Sequence, residues 1–222
     1  MNLYCLVEGR RTEKKVYRSW INHVFPFLSE ADRIEDVIGN NFYIISGNGY
    51  PSYISRIQAS LQDIVHHGQF DKFLICIDAE QFSVADKRKE ILDLMDSDSL
   101  FEGTNIIIHN CCIESWLLGH TKMLRRHPHS ETLIQFKEFF DVSKQNPEDM
   151  DCPPEYDTRA QFHFQYLKEM LFERGMSYTK NNPGVVQNKD YLRALVIRYE
   201  RTGHLATFGE LVELWREWNG QI

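Results

Sequence analysis

"FLICIDAEQ", residues 73–81, decides how this chain is read. An apolar run from Phe73 to Ile77 stops abruptly at Asp78-Ala79-Glu80. A run that short, without polar alternation, predicts a strand buried on both faces. Strands of that kind belong to parallel sheets, which gather their functional groups at the strands' carboxyl ends. Two acids one residue apart, leaving such a strand, call for a chemical reason.

The same pattern recurs on either side. "LYCLVE" (3–8), "FYIIS" (42–46) and "NIIIHN" (105–110) read as further strands. Between them lie helical periods. Val16, Trp20, Ile21 and Val24 recur at steps of three or four. Ile54, Ile57, Leu61 and Ile64 or Val65 do the same, with Gly68 as a stop. Residues 84–97 and 112–124 supply two more helices. The expected fold is therefore α/β: a mostly parallel four-stranded sheet with helices on both faces, over residues 1–124. Residues 125–222 change character. Helical patterns at 131–143, 158–174, 189–202 and 206–218 alternate with polar, proline-rich stretches, which predicts a C-terminal helical extension.

That arrangement collects acids at one rim. Glu8 ends the first strand, and Asp78 and Glu80 end the third. Glu114 lies just past the fourth, and Glu13 falls in the first turn after Glu8. A hard divalent cation wants oxygens, and Mg²⁺ typically takes one or two carboxylates, waters and substrate phosphate. Such an ion activates water or steadies charge on a scissile phosphate. Each acid also has a plain structural reading. Glu13 suits a first helical turn behind Thr12 as N-cap. Asp78 could cap the next helix, and Glu80 could be solvated. Glu114 sits in an apolar stretch, where a buried carboxylate needs a partner or a metal.

Composition bounds the partners. The chain has 222 residues, 42% hydrophobic and 26% charged, as expected for one sizeable globular unit. The net charge of −7 argues against coating nucleic acid by bulk charge, but not against a nuclease whose metal bridges to phosphate. No stretch approaches the roughly 20 apolar residues of a membrane helix, and residues 1–15 do not read as a signal peptide. The cysteines (Cys5, Cys76, Cys111, Cys112 and Cys152) are odd in number and form no CxxC pair. Reduced thiols in a cytoplasmic chain are expected. A zinc site through His109, Cys111 and Cys112 lacks the usual ligand spacing.

"LVEGRRTEKKVY", "FLICIDAE" and "HNCCIESWLL", in that order, resemble a Toprim domain, most of all the OLD-family and RloB-like nucleases of bacterial defence loci. The RloB-like pattern EGxxTE is matched by Glu8-Gly9-Arg10-Arg11-Thr12-Glu13. The resemblance covers residues 1–120 well. It departs at Glu80, where the family has a second Asp. It implies a Mg²⁺- or Mn²⁺-dependent nuclease acting on DNA or RNA. Glu8, Asp78 and Glu80 would hold the principal metal, and Glu13 and Glu114 would complete the shell or hold a second ion. A late catalytic lysine is also implied: Lys189, with Lys180 as the other candidate. An effector role in antiphage defence follows from the same resemblance. Because the chain has no GxxxxGK[ST] motif, an ATPase encoded separately is the expected partner. The alternative is a silent Toprim-like module that binds a protein or nucleic acid.

Overall fold

A computed structural model describes residues 1–95 and 101–222. Its sheet has five strands: β1 (Leu3–Val7), β2 (Ser29–Glu30), β3 (Asn41–Ser46), β4 (Lys72–Asp78) and β5 (Thr104–His109). They lie in the order β2-β3-β1-β4-β5, and every ladder among the described residues is parallel. The four expected strands are present. The fifth, β2, is a two-residue exposed edge strand, too short to show periodicity.

Side-chain alternation divides the core. Leu3, Cys5 and Val7 of β1 face one cluster, while Tyr4 and Leu6 face another. The second cluster is closed by α2 (Ser52–His67) and α3 (Val84–Asp93) through Tyr53, Ile57, Leu61 and Ile91. The expected helix over 84–97 ends at Asp93, and residues 96 and 97 lie outside the described residues. Ser83 caps α3, accepting from the amide of Asp86, so Asp78 has no capping role there.

The first cluster is closed by α1 (Thr12–Val24) through Val16, Tyr17, Trp20 and Ile21. It continues without a break into α4 (Ile113–Leu117), α5 (Glu131–Phe139), α6 (Arg159–Phe172), α7 (Lys189–Thr202) and α8 (Ala206–Glu217). Residues 125–222 thus add their helices to the core that α1 makes with the sheet. Buried Arg198 fastens this half, donating to the carbonyls of Gly119 at 3.0 Å, Val142 at 2.7 Å and Gln145 at 2.6 Å. The helix expected over 112–124 is only the five-residue α4. At Gly119 a Cβ would lie 2.5 Å from Leu205 and 2.7 Å from the carbonyl of Trp116, so the chain passes its neighbours too closely to carry a side chain there.

Candidate active site

Register brings the acids together. Val7 pairs with Cys76 across β1 and β4, and Asp78 pairs with His109 across β4 and β5. The chain leaving β1 therefore emerges beside the chain leaving β4. The amide of Glu8 donates to the carbonyl of Cys76 at 3.0 Å, and the amide of Asp78 donates to Glu8 Oε2 at 2.9 Å. The turn after β3 grips Glu8 from its other side. Ser46 Oγ donates to the Glu8 carbonyl at 3.2 Å, and the amide of Gly49 donates to it at 3.1 Å. That turn passes through φ 64 at Asn48 and φ 80 at Gly49, which favours the residue types found there.

Gly9 matters for space. A Cβ on it would sit 1.8 Å from Glu13 Oε2, so the Glu13 carboxylate lies directly over the Gly9 backbone. Thr12 is the first residue of α1 and not its cap; Arg11 occupies that position without a side-chain hydrogen bond. Thr12 Oγ1 instead donates to the carbonyl of Lys180 at 3.1 Å, and Lys15 Nζ donates to the carbonyl of Asn181. These bonds fold the loop after α6 over the start of α1.

Glu114 is buried and accepts from Tyr178 Oη at 3.0 Å. Asp78 Oδ1 lies 2.5 Å from Nδ1 of the fully buried His109, whose Nε2 lies 2.8 Å from Tyr17 Oη. A neutral His109 fits both contacts when Nδ1–H donates to Asp78 and Nε2 accepts from Tyr17. Asp78 is thereby held in one orientation by a buried chain of two side chains.

A cavity of about 630 Å³ opens at this rim, lined by Glu8, Glu13, Asp78, Glu80 and Glu114 together with Arg10, Arg11 and Lys180. Burial pushes Glu8 up to about 8, with Asp78, Glu80 and Glu13 adding repulsion against one stabilising bond from the Asp78 amide. Burial, then Glu114, raises Glu13. Burial, then Glu13 and Glu114, raises Asp78 well above the usual carboxylate range. His109 is pulled down to about 4, chiefly by burial. Glu148 makes the contrast. It too is buried, but it accepts from Trp116 Nε1 at 3.0 Å, from the Thr207 amide at 3.2 Å and from Thr207 Oγ1. Glu148 is satisfied by protein donors and serves the fold. Among the described residues, Glu8, Glu13, Glu80 and Glu114 form no ion pair.

Among the described residues, no three of the acids bring ligand atoms within 4.8 Å of one another. The one set of His, Cys, Asp or Glu ligand atoms lying within 4.8 Å of one another, among the described residues, is Cys111, Cys112 and His163. Such a site suits Mg²⁺, which keeps several waters and needs only one or two protein carboxylates. Mutually repelling, half-desolvated acids without a cationic partner are also what a divalent ion relieves.

Placement of the expected residues is uneven. Glu8, Glu13, Asp78, Glu80 and Glu114 share one cavity. Glu80 is exposed, with φ 53, at the outer edge. Lys189 is elsewhere: it opens α7 and lines a different cavity with His23 and Val24, at the far end of α1 from Glu13. The lysine at the acids is Lys180, and the preference for Lys189 is corrected accordingly. His109, Tyr17 and Tyr178 went unrecognised as partners of the acids. Each sits in an apolar run or a polar loop whose pattern records burial and not contact. Compared with known proteins, the chain matches no family model, no curated protein and no solved structure.

Proposed function

We propose that the chain is a divalent-metal-dependent phosphodiesterase of the Toprim kind, cutting DNA or RNA. The observation that supports it most is the acid cavity. Carboxylates from three separate segments face one opening, destabilised as anions and without a cationic partner, whereas Glu148, though also raised by burial, accepts hydrogen bonds from Trp116 and Thr207.

In this reading Glu8 and Asp78 would hold Mg²⁺ or Mn²⁺, with Glu80, Glu13 and Glu114 available to complete its shell. When bound, the ion supplies positive charge to the scissile phosphate and lowers the pKa of water. The chain's own residues do the rest. His109, braced by Tyr17, keeps Asp78 aimed. The Glu8 carboxylate is fixed by the Asp78 amide. Arg10 and Arg11 are exposed at the mouth and neutralise phosphates flanking the cut. Lys180 steadies the charge that grows on the phosphate or the leaving oxygen. The defence role, the cytoplasmic setting and the separate ATPase belong to the same proposal. No helix among the described residues is long and apolar enough to cross a membrane.

The test is cleavage of labelled single- and double-stranded DNA and RNA by purified chain with Mg²⁺ or Mn²⁺, set against Asp78→Asn. Metal-dependent cleavage lost in the variant supports the proposal. The exposed Glu80 favours one rival, a silent module. Nucleic-acid binding that is equal in both proteins, without cleavage even beside the neighbouring ATPase, selects that rival.

A further inference from the structure

Beside the acid cavity lies a second group with different chemistry. Cys111, Cys112 and His163 are all buried, and their ligand atoms lie within 4.8 Å of one another. Cys112 Sγ is 3.9 Å from His163 Nδ1. His163 Nε2 is 3.0 Å from the carbonyl oxygen of Met150. A carbonyl only accepts, so Nε2 carries the proton and Nδ1 offers a free lone pair to the thiols. Ligating histidines are commonly held this way, by a carbonyl behind the ring.

The backbone serves the same grouping. Adjacent side chains on an extended chain point to opposite sides. Cys111 instead takes φ 70, which a non-glycine residue seldom adopts, and the two neighbouring thiols converge on one histidine. Zinc bonds of about 2.3 Å to sulfur and about 2.0 Å to nitrogen, in a tetrahedral shell, put those two atoms about 3.6 Å apart. The observed 3.9 Å needs a shift of only a few tenths of an ångström.

We propose that Cys111, Cys112 and His163 bind one zinc ion, which pins the turn after β5 to α6. Two thiolates and an imidazole select zinc over the hard cations suited to the neighbouring acids. Cys112 also lines the acid cavity, as does Ala160 of α6, so the ion fixes one wall of that cavity. Three protein ligands leave a fourth position for water or another donor. The zinc reading stands independently of the phosphodiesterase reading, because its donors are not the carboxylates.

The experiment uses the full chain, purified reduced, loaded with Zn²⁺ or Co²⁺ and desalted. Metal content is measured by mass spectrometry, and cobalt ligation by absorption. The expected result is about one zinc per chain, together with a near-ultraviolet thiolate-to-cobalt charge-transfer band. Both persist in Asp78→Asn. In Cys112→Ser and His163→Gln the zinc affinity falls by at least about tenfold. Zinc lost in Asp78→Asn but kept in Cys112→Ser overturns the proposal, since the ion would then belong to the acids. Bound cobalt without a thiolate band overturns it as well. So do thiols that react with an alkylating agent only after reductant is added, in protein that takes up no zinc. If the variants fail to fold, the wild-type cobalt spectrum alone decides, because only thiolate ligation produces that band.

Discussion

The main-chain amide of Asp78 donates to the side-chain carboxylate of Glu8 at 2.9 Å, across 70 residues of sequence. One acid is thus oriented by the backbone of the other. The bond favours the ionised form of Glu8, yet burial and the nearby charges outweigh it and push the group up to about 8. The acid rim is consequently built at a cost in stability that a cation would relieve.

Asp78→Asn is the cleanest probe of that cost, because it keeps an oxygen for His109 and removes one charge. In EDTA the variant is expected to melt above wild type, with about 2–4 °C for each 1 kcal/mol relieved. Millimolar Mg²⁺ should then raise the wild type, by about 2.7 kcal/mol if it reaches 100 times Kd, and leave the variant nearly unchanged. Thermal melts followed by circular dichroism check both halves. A wild type indifferent to Mg²⁺ counts against an acid-held ion.

The pH dependence has a defined window. Glu8 is raised from 4.5 to about 8, so the folded state retains a proton that the unfolded state has lost, and stability falls as pH rises through that range. His109 is lowered from 6.5 to about 4, so it acts in the opposite sense between those values. The two effects offset each other up to about pH 6.5. Between pH 6.5 and about 8 Glu8 acts without that opposition; it alone should lower metal-free stability by up to about 1.4 kcal/mol per pH unit, and the raised Asp78 and Glu13 act in the same sense. Saturating Mg²⁺, which needs the ionised carboxylates, should flatten this slope. Urea titrations across the window measure it.

Gly9→Ala separates metal binding from folding. The added methyl would meet the far end of the flexible Glu13 side chain, 1.8 Å from Oε2, and φ at Gly9 is not positive. Glu13 can swing aside cheaply. The melting temperature in EDTA should stay within a few degrees, while the Mg²⁺-induced rise in Tm shrinks. A large loss of stability instead would show that Glu13 serves the fold.

Lysine position gives the last test. Lys180→Ala should lower metal-dependent cleavage by about 10²–10³ fold, as loss of one charge-stabilising donor does, whereas Lys189→Ala leaves it unchanged. Single-turnover cleavage at saturating metal reads both. The reverse pattern would require the α7 end to close over the acids.

Why one lysine misled is instructive. Glu8, Asp78 and Glu114 were legible because each follows a short apolar strand, and in a parallel sheet the strand ends converge by construction. Lys180 and Lys189 both lie in polar sequence without period. Long-range bonds from Thr12 Oγ1 to the Lys180 carbonyl and from Lys15 Nζ to the Asn181 carbonyl bring Lys180 to the acids. In the sequence His109 shows only as part of a strand, because its partner Tyr17 comes from α1 and leaves no trace in local spacing. The edge strand β2 is too short to carry a signal.

The cavity draws its lining from positions as distant as Glu8 and Lys180. During synthesis the ribosome must pass Tyr178 and Lys180 before Glu114 gains its hydroxyl donor and the late loop covers the start of α1. A message cut short before those codons yields acids without their cover.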